Sequence, residues 1–446
     1  MCESVLRRIK RGGKIGFFGL GKSNLSLIST LPLEKCRITL RSDQPIMREN
    51  IPRVKRVERI FDGERSCDLI DEDILIFSPS VRRERRQLDE ARTRGVIFTS
   101  DLELFLEENE KPLFAVSGSD GKSTTATLAH LLMDNSLLVG NIGTPMLAAL
   151  REDCQSYVAE LSSFMLKYAK VPARRACITN ITENHLDWHE SFEEYRDTKL
   201  SLLESASECI VNADDEISMD FFKKRGGFGV ISDRLGFDEL RGSAELVITQ
   251  TDTGIERNGR LVLPYESIRR REAHNIKNLM MAIALCDGYT DEDRMLKVAN
   301  SFSGLPHRCE KFFEKDGVEY FNSSIDSSPA RTAMTLESLG KRVVILLGGK
   351  SKGVGYDSLC ESLSKYAEHA LVFGENREEI YSAIHGCAKC EKCENIEDAI
   401  LRAIELSGCA EAIILSPAST SYDVFSSFEE RGNYFKKMIL NGINRT

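Results

Sequence analysis

The 446-residue chain has one tryptophan and no apolar run near the roughly 18 residues a membrane span needs. No spanning helix is therefore expected. The N-terminus MCESVLRRIKRGGK carries its charges after a very short apolar stretch and does not read as a secretory signal. An excess of positive charge is also missing, since 60 Lys and Arg stand against 69 Asp and Glu, a formal charge of −9. With no global field to hold nucleic acid or an anionic membrane surface, any anionic ligand must be gripped locally. A disulfide framework is not expected either: the thirteen cysteines are odd in number and lie in apolar runs such as Arg-Ala-Cys177-Ile-Thr and Glu-Cys209-Ile-Val. They read as reduced core residues of a cytoplasmic protein.

What is present is alternation. Apolar blocks of five to eight residues are separated by amphipathic stretches of ten to fifteen, as in parallel strands joined by crossover helices. At this length about three α/β domains are expected. The first has strands at KIGFFG, RITLRS, DILIFS and VIFTS; the second at LFAVSG, YVAELS and ACITNI, running to Val211; the third at VVILLGG, ALVFGE and AIILSP. Boundaries near residues 100 and 305 give domains 1–100, 101–304 and 305–446, with a Rossmann-like fold at each end. Between Gly226 and Glu272 the pattern is irregular and leaves an antiparallel arrangement open.

The strongest local signal is Gly118-Ser119-Asp120-Gly121-Lys122-Ser123-Thr124, between an apolar strand and a helical run. Glycines let backbone N–H groups turn toward phosphate oxygens, the helix N-terminus adds partial positive charge, Lys122 brings a point charge, and the Ser123 hydroxyl suits Mg²⁺. Nucleoside triphosphate binding is the natural reading, although Val116 stands where the first glycine of the standard loop falls. A second glycine turn, Gly19-Leu20-Gly21-Lys22-Ser23-Asn24, ends in Asn24 rather than the final glycine of a dinucleotide fingerprint. The following strand ends in Arg41-Ser42, where an acid would be needed for the ribose of NAD, so a nicotinamide-dependent dehydrogenase is disfavoured and a nucleotide diphosphate stays open.

With these motifs in place the chain resembles the Mur ligase family over essentially its whole length, and within it the branch that adds D-glutamate. The resemblance rests on ordered matches: SGSDGKST, Gly140-Asn141-Ile142-Gly143, Glu160-Leu161-Ser162-Ser163-Phe164, Asn180 to Asp187, and Tyr195 to Lys199. After these come His274-Asn275 with Asn278, Gly304 to Arg308, Leu415 to Ala418, and Phe428 to Asn433. It implies a ligase using ATP and magnesium, with UDP-N-acetylmuramoyl-L-alanine and D-glutamate as substrates, in peptidoglycan precursor synthesis, and acting as a cytoplasmic monomer.

The family match also implies residue roles. Lys122 is the phosphate-loop lysine. Ser123, Glu160 and His185 match magnesium ligands, and Lys199 matches a lysine carried as a carbamate that would serve a second magnesium. Asn275, Asn278 and Arg308 resemble adenine and phosphate contacts. Gly21, Lys22, Ser23, Arg41, Ser42 and Asn141 fall at the sugar-nucleotide site, and Lys352, Ser421 and Phe428 at the D-glutamate site. Glu160 ends an apolar strand and Lys352 follows a strand end, places where α/β sites collect, so a site role is favoured for both over a strand-end cap and a surface lysine. The alternative for His185 is a surface residue, and by composition alone Lys199 is part of a solvated helix face.

Several positions depart from the family pattern. Asn322-Ser323-Ser324-Ile325-Asp326 lacks the usual Asp and Lys, leaving Ser323 for a ribose hydroxyl and Asp326 as the compensating acid. Ser78-Pro79-Ser80 has serine where glycine is usual. Cys387, Cys390 and Cys393, with His385, have a metal-cluster spacing that lacks its fourth ferredoxin ligand, since Glu397 falls there, and read as surface thiols. Arg82, Arg83, Arg85 and Arg86 read as a solvated helix start. Competing functions are another Mur-type or folylpolyglutamate-type ligase and a non-catalytic nucleotide-binding regulator.

Overall fold

The computed structural model describes residues 3–46, 57–351 and 355–443. Among the described residues, three sheets of five, nine and six strands carry the fold. The first runs β3-β2-β1-β4-β5, all parallel, built from β1 (Gly13–Phe18), β2 (Cys36–Ser42), β3 (Val57–Asp62), β4 (Ile74–Phe77) and β5 (Ile97–Thr99). Its central strands are apolar at successive positions because both faces are covered: Ile15, Phe17, Ile38 and Ile76 pack into one core, while Phe18, Leu75 and Phe77 pack into another.

The second sheet has the order β14-β13-β12-β11-β10-β9-β6-β8-β7. Its central strands are β6 (Leu113–Ser117), β8 (Ser156–Glu160) and β9 (Arg175–Ile178), flanked by β7 (Ser136–Gly140), β10 (Glu208–Asn212), β11 (Gly229–Ser232) and β12 (Leu246–Thr251). These seven pair in parallel, and β13 (Gly254–Arg257) and β14 (Arg260–Pro264) then continue the edge antiparallel. The irregular stretch after Gly226 thus divides into one more parallel crossover and an antiparallel tail.

The third sheet runs β15-β16-β20-β17-β18-β19, from β15 (Glu310–Lys315), β16 (Val318–Asn322), β17 (Val343–Gly348), β18 (Ala367–Phe373), β19 (Cys390–Lys392) and β20 (Ala412–Leu415). Only the β15–β16 hairpin is antiparallel; its turn uses Asp316 and Gly317, both at positive φ. The chain forms two compact units, 1–302 with the first two sheets and 303–446 with the third. Every strand read from the sequence is present, and no described helix is long and apolar enough to cross a membrane.

Two sequence expectations are corrected here. Cys360 and Cys387 form a disulfide, with Cα atoms 5.2 Å apart. The helices Cys360–Tyr366 and Arg377–Ile384 pack into one core through Leu363, Ile380 and Ile384, which brings together cysteines 27 residues apart. Cys387 is therefore no surface thiol, and the cysteine cluster is not assembled: Cys393 is buried, and Cys390 donates to the carbonyls of Ile384 and Ala388. The arginine run is a solvated helix start only at Arg86, which is exposed and opens the short helix Arg86–Leu88. Arg83 is buried against Glu103 and stacks on Tyr168, Arg85 grips Asp43 with two hydrogen bonds, and Arg82 lies over Trp188 beside Glu190.

A buried acid links the first two sheets. Asp101 opens the helix Asp101–Glu108 that follows β5, and its carboxylate accepts the N–H groups of Met146 and Leu147, capping the helix Met146–Ala149. Burial pushes Asp101 up to about 6. Unfolded, the group titrates near about 4, so the native chain binds the extra proton between the two values, and stability falls as pH rises through that window. Measured against Asp101→Asn by urea denaturation, the wild type is expected to lose on the order of 3 kcal/mol more between pH 4 and 7. Parallel pH dependence of the two proteins would refute this.

Candidate active site

β6 ends at Ser117, and the chain turns through Gly118 to Gly121 into the helix Lys122–Leu132. Gly118 and Gly121 have φ of +142° and +78°, and a Cβ on them would come within 1.9 Å of Thr179 Oγ1 and 2.2 Å of Asn278 Oδ1. Glycine is therefore required for space as well as for dihedral angle. The turn is tied to the segment leaving β9: Ser119 N donates to Asn180 O, Asp120 N to Asn180 Oδ1, and Thr179 Oγ1 to Asp120 O. Ser119 Oγ exchanges hydrogen bonds with Thr182 and meets the Tyr195 hydroxyl at 2.8 Å. With Gly121 as N-cap the helix has no side-chain cap, so its first N–H groups, those of Lys122, Ser123 and Thr124, are presented without a competing acceptor from the cap.

Two lysines converge here. Lys122 Nζ donates to Ser119 O and Lys199 Nζ to Gly118 O, each at 2.7 Å. Lys199 is buried on the helix Phe192–Ser205, over the Tyr195 ring, so it belongs to no solvated face. Burial, and then the Lys122 ammonium, push its amine well below the usual lysine range. Glu160, the last residue of β8, is 1% exposed; Asn141 donates to its Oε1 at 2.8 Å, and its Oε2 has no hydrogen-bond donor. A buried carboxylate oxygen without a donor calls for a cation. The residues present thus fit magnesium: Glu160 Oε2, the Ser123 hydroxyl at the helix start and the His185 imidazole, whose backbone is left-handed at φ +55°. No group of three or more His, Cys, Asp or Glu that could hold a metal ion is assembled among the described residues.

On the helix Ala273–Leu285, Asn278 accepts from Thr125 and packs on Gly121, whereas Asn275 donates to Glu272. In the first sheet Gly21 caps the helix Lys22–Thr30, leaving Lys22 exposed at its start and Ser23 half-buried. Asn24 fixes the turn by donating to the carbonyls of Phe18, Gly19 and Ile76. Lys22, Ser23, Ser78, Ser80, Asn141 and Phe164 border a groove of about 200 Å³. A larger cavity, about 600 Å³, lies at the amino ends of β1 and β4, away from the carboxyl ends where α/β sites gather.

Arg41 is corrected. Its guanidinium is wholly buried, forked onto Glu72 and bonded to the carbonyls of Ser66, Asp68 and Leu69, so no donor remains for a substrate. Ser42 is half-buried and accepts from Gln44 N.

In the second unit Arg308 is exposed, Ser421 is buried, Phe428 begins the helix Phe428–Ile443 and meets the His307 ring, and Lys352 lies outside the described residues. Asp326 does not replace the missing acid. It is buried and accepts from Ser416 and Thr335, while Ser323 Oγ accepts from Cys309 N. Sequence reasoning overlooked Arg431, which is 1% exposed and bonds Ser324, the adjacent Ser419 and Thr420, and Gly348 O, joining three segments at the carboxyl end of the sheet. Its place in the run Phe428 to Asn433 was the available signal. Tyr195 was likewise visible only as part of a motif, and Thr179 only as part of a strand.

A parallel sheet whose central strand feeds a glycine turn into an uncapped helix, with two lysines converging on it, defines an α/β protein of the phosphate-loop class. The Mur ligase middle domain family matches residues 116–286. UDP-N-acetylmuramoylalanine--D-glutamate ligase of Ruminiclostridium cellulolyticum is 34% identical over 398 residues, 83% of each chain, and that of Acetivibrio thermocellus is 32% identical over 96% of each. The chain belongs to the Mur ligase family. The solved UDP-N-acetylmuramate-alanine ligase MurC of Thermotoga maritima shares the three-domain fold, with a TM-score of 0.59 at 18% identity over 96% of this chain and 99% of that one.

The buried Arg41–Glu72 pair yields a prediction. Glu72→Ala leaves the guanidinium buried without its counter-charge and is expected to cost about 3–5 kcal/mol in chemical denaturation. Arg41→Met/Glu72→Met should recover much of that loss. Equal losses in both variants would contradict the structural assignment of Arg41.

Proposed function

We propose that the chain joins D-glutamate to UDP-N-acetylmuramoyl-L-alanine at the expense of ATP, in peptidoglycan precursor synthesis. The match over nearly the full length to ligases of that name carries the reading. The enzyme works as a cytoplasmic monomer, with residues 1–100 holding the sugar nucleotide, 101–304 ATP and 305–446 the amino acid. The groove beside Lys22 and Ser23 takes the diphosphate, with positive charge at a helix start, and Asn141 reaches the sugar from its bond to Glu160.

A carboxylate is a poor electrophile, so the alanyl carboxylate oxygen first takes the γ-phosphoryl group and ADP leaves. The D-glutamate amine then attacks the acyl carbon, an amine proton is lost and phosphate departs. Lys122 and the N–H groups of Lys122, Ser123 and Thr124 hold and neutralise the transferring phosphates, and Asn275, Asn278 and Arg308 hold the nucleotide. Ser123, Glu160 and His185 hold magnesium, which supplies positive charge against the triphosphate. Lys199, whose amine burial shifts toward its neutral form, adds carbon dioxide: an N–C bond forms, a proton leaves and an anionic carbamate results, able to hold a second magnesium. Lys352, Ser421 and Phe428 take D-glutamate.

Phosphate release from ATP and UDP-N-acetylmuramoyl-L-alanine, assayed with a panel of amino acids, tests the substrate assignment. D-Glutamate should give the fastest release, and better turnover with L-glutamate or lysine would overturn the assignment. Lys199→Ala is expected to lower kcat by at least about 100-fold, on the scale of losing one preorganised charge contact, without rescue by bicarbonate. An undiminished rate would remove Lys199 from the site.

A further inference from the structure

Outside the groups assigned above, one buried imidazole joins three segments of the active site. The His189 side chain has no solvent exposure. Its Nδ1 lies 3.3 Å from Glu194 Oε2 and its Nε2 3.0 Å from Ser163 Oγ. Its backbone N–H donates to His185 O at 2.9 Å, closing the turn in which His185 is left-handed. Ser163 opens the short helix Ser163–Leu166, three residues beyond Glu160, and Glu194 lies on the helix that carries Lys199. The segments bearing Glu160, His185 and Lys199 thus all touch one residue.

Hydrogen accounting sets the direction of this chain. Glu194 is ion-paired with Lys167 and accepts the Glu190 N–H, so it offers His189 only acceptor oxygens. Nδ1 must carry the proton, and since burial disfavours the charged ring, Nε2 is left to accept from the Ser163 hydroxyl. Ser163 to His189 to Glu194 then has a single donor-to-acceptor sense. The ring is wedged among Phe164, Trp188 and Tyr195, with centroids 6.1, 4.8 and 5.2 Å away, so it cannot rotate without disturbing all three segments.

We infer that His189 is a positioning residue for the metal site, fixing the Ser163 and Glu194 segments against the His185 turn and thereby the spacing of Glu160, His185 and Lys199. The inference rests on the reading of those three as metal ligands. Partners behind a ligand shell commonly govern metal affinity by about 10–100-fold.

The test is Mn²⁺ binding, followed by electron paramagnetic resonance on the intact protein with a non-hydrolysable ATP analogue. Ser163→Ala and His189→Asn each remove the Ser163–His189 bond, the second keeping an amide donor for Glu194. Each should weaken Mn²⁺ binding by about 10-fold or more, and the double variant should be no worse than either single one, because both act through one bond. The KM for D-glutamate should stay within about twofold of wild type. Glu160→Gln and His185→Ala are the controls. If they weaken Mn²⁺ binding while Ser163→Ala leaves it unchanged, His189 does not position the site and the ligand reading stands. If the controls also bind as wild type does, the ligand reading fails and this inference with it. Ser163→Ala decides the matter should His189→Asn not fold.

Discussion

The backbone turn from Gly118 to Gly121 is the constraint on which the rest of the site depends. It approaches Thr179 and Asn278 too closely for any side chain at its glycines, and it is bonded to Asn180 and Thr182 on the neighbouring strand exit. The carbonyls of Gly118 and Ser119 accept from the Nζ atoms of Lys199 and Lys122. One rigid turn therefore sets the helix that presents N–H groups, both lysines and, through Ser119 and Tyr195, the helix carrying Lys199. A shift of the turn would move all of them together, which suits a reaction that depends on positioning charge rather than on covalent help from the protein.

Electrostatic stress concentrates at this place. Glu160 keeps a buried oxygen without a donor, and Lys199 is buried beside another lysine. Each arrangement costs stability in isolation. Together they describe a site whose charges are balanced only with ligands present, as expected of a centre that must hold a triphosphate and a cation. The first sheet contrasts with this. Arg41 and Glu72 satisfy one another there, and the pair contributes to the domain's interior rather than to ligand contact.

The second unit is organised around a different cation. Arg431 gathers the loops at Ser324, Ser419 and Thr420, and burial lowers it to about 10. Its bonds to carbonyls replace the water lost on burial, so it orders the carboxyl end of the sheet where Ser421 and Phe428 stand. The Cys360–Cys387 disulfide fastens the helix Cys360–Tyr366 to the turn that follows the helix Arg377–Ile384.

The strands, their parallel class and the phosphate turn were legible in the residues alone, because each is a local matter: apolar runs covered on both faces, and glycines placed where a chain must turn tightly before a helix. Glu160 was legible for a related reason, since a strand's last residue falls at the edge where α/β sites form. The remainder was decided by tertiary structure. Charge and motif could not show that Arg41 turns inward to Glu72, that Asp326 is consumed by Ser416 and Thr335, or that Lys199 is buried rather than solvated, since each depends on which distant segment packs alongside. The pairing of Cys360 with Cys387 and the chain from Ser163 through His189 to Glu194 arise likewise from contacts between separate elements. Local sequence specifies the elements and their turns; which polar groups meet inside them follows only from packing, because burial and hydrogen-bond partners are properties of the assembled fold.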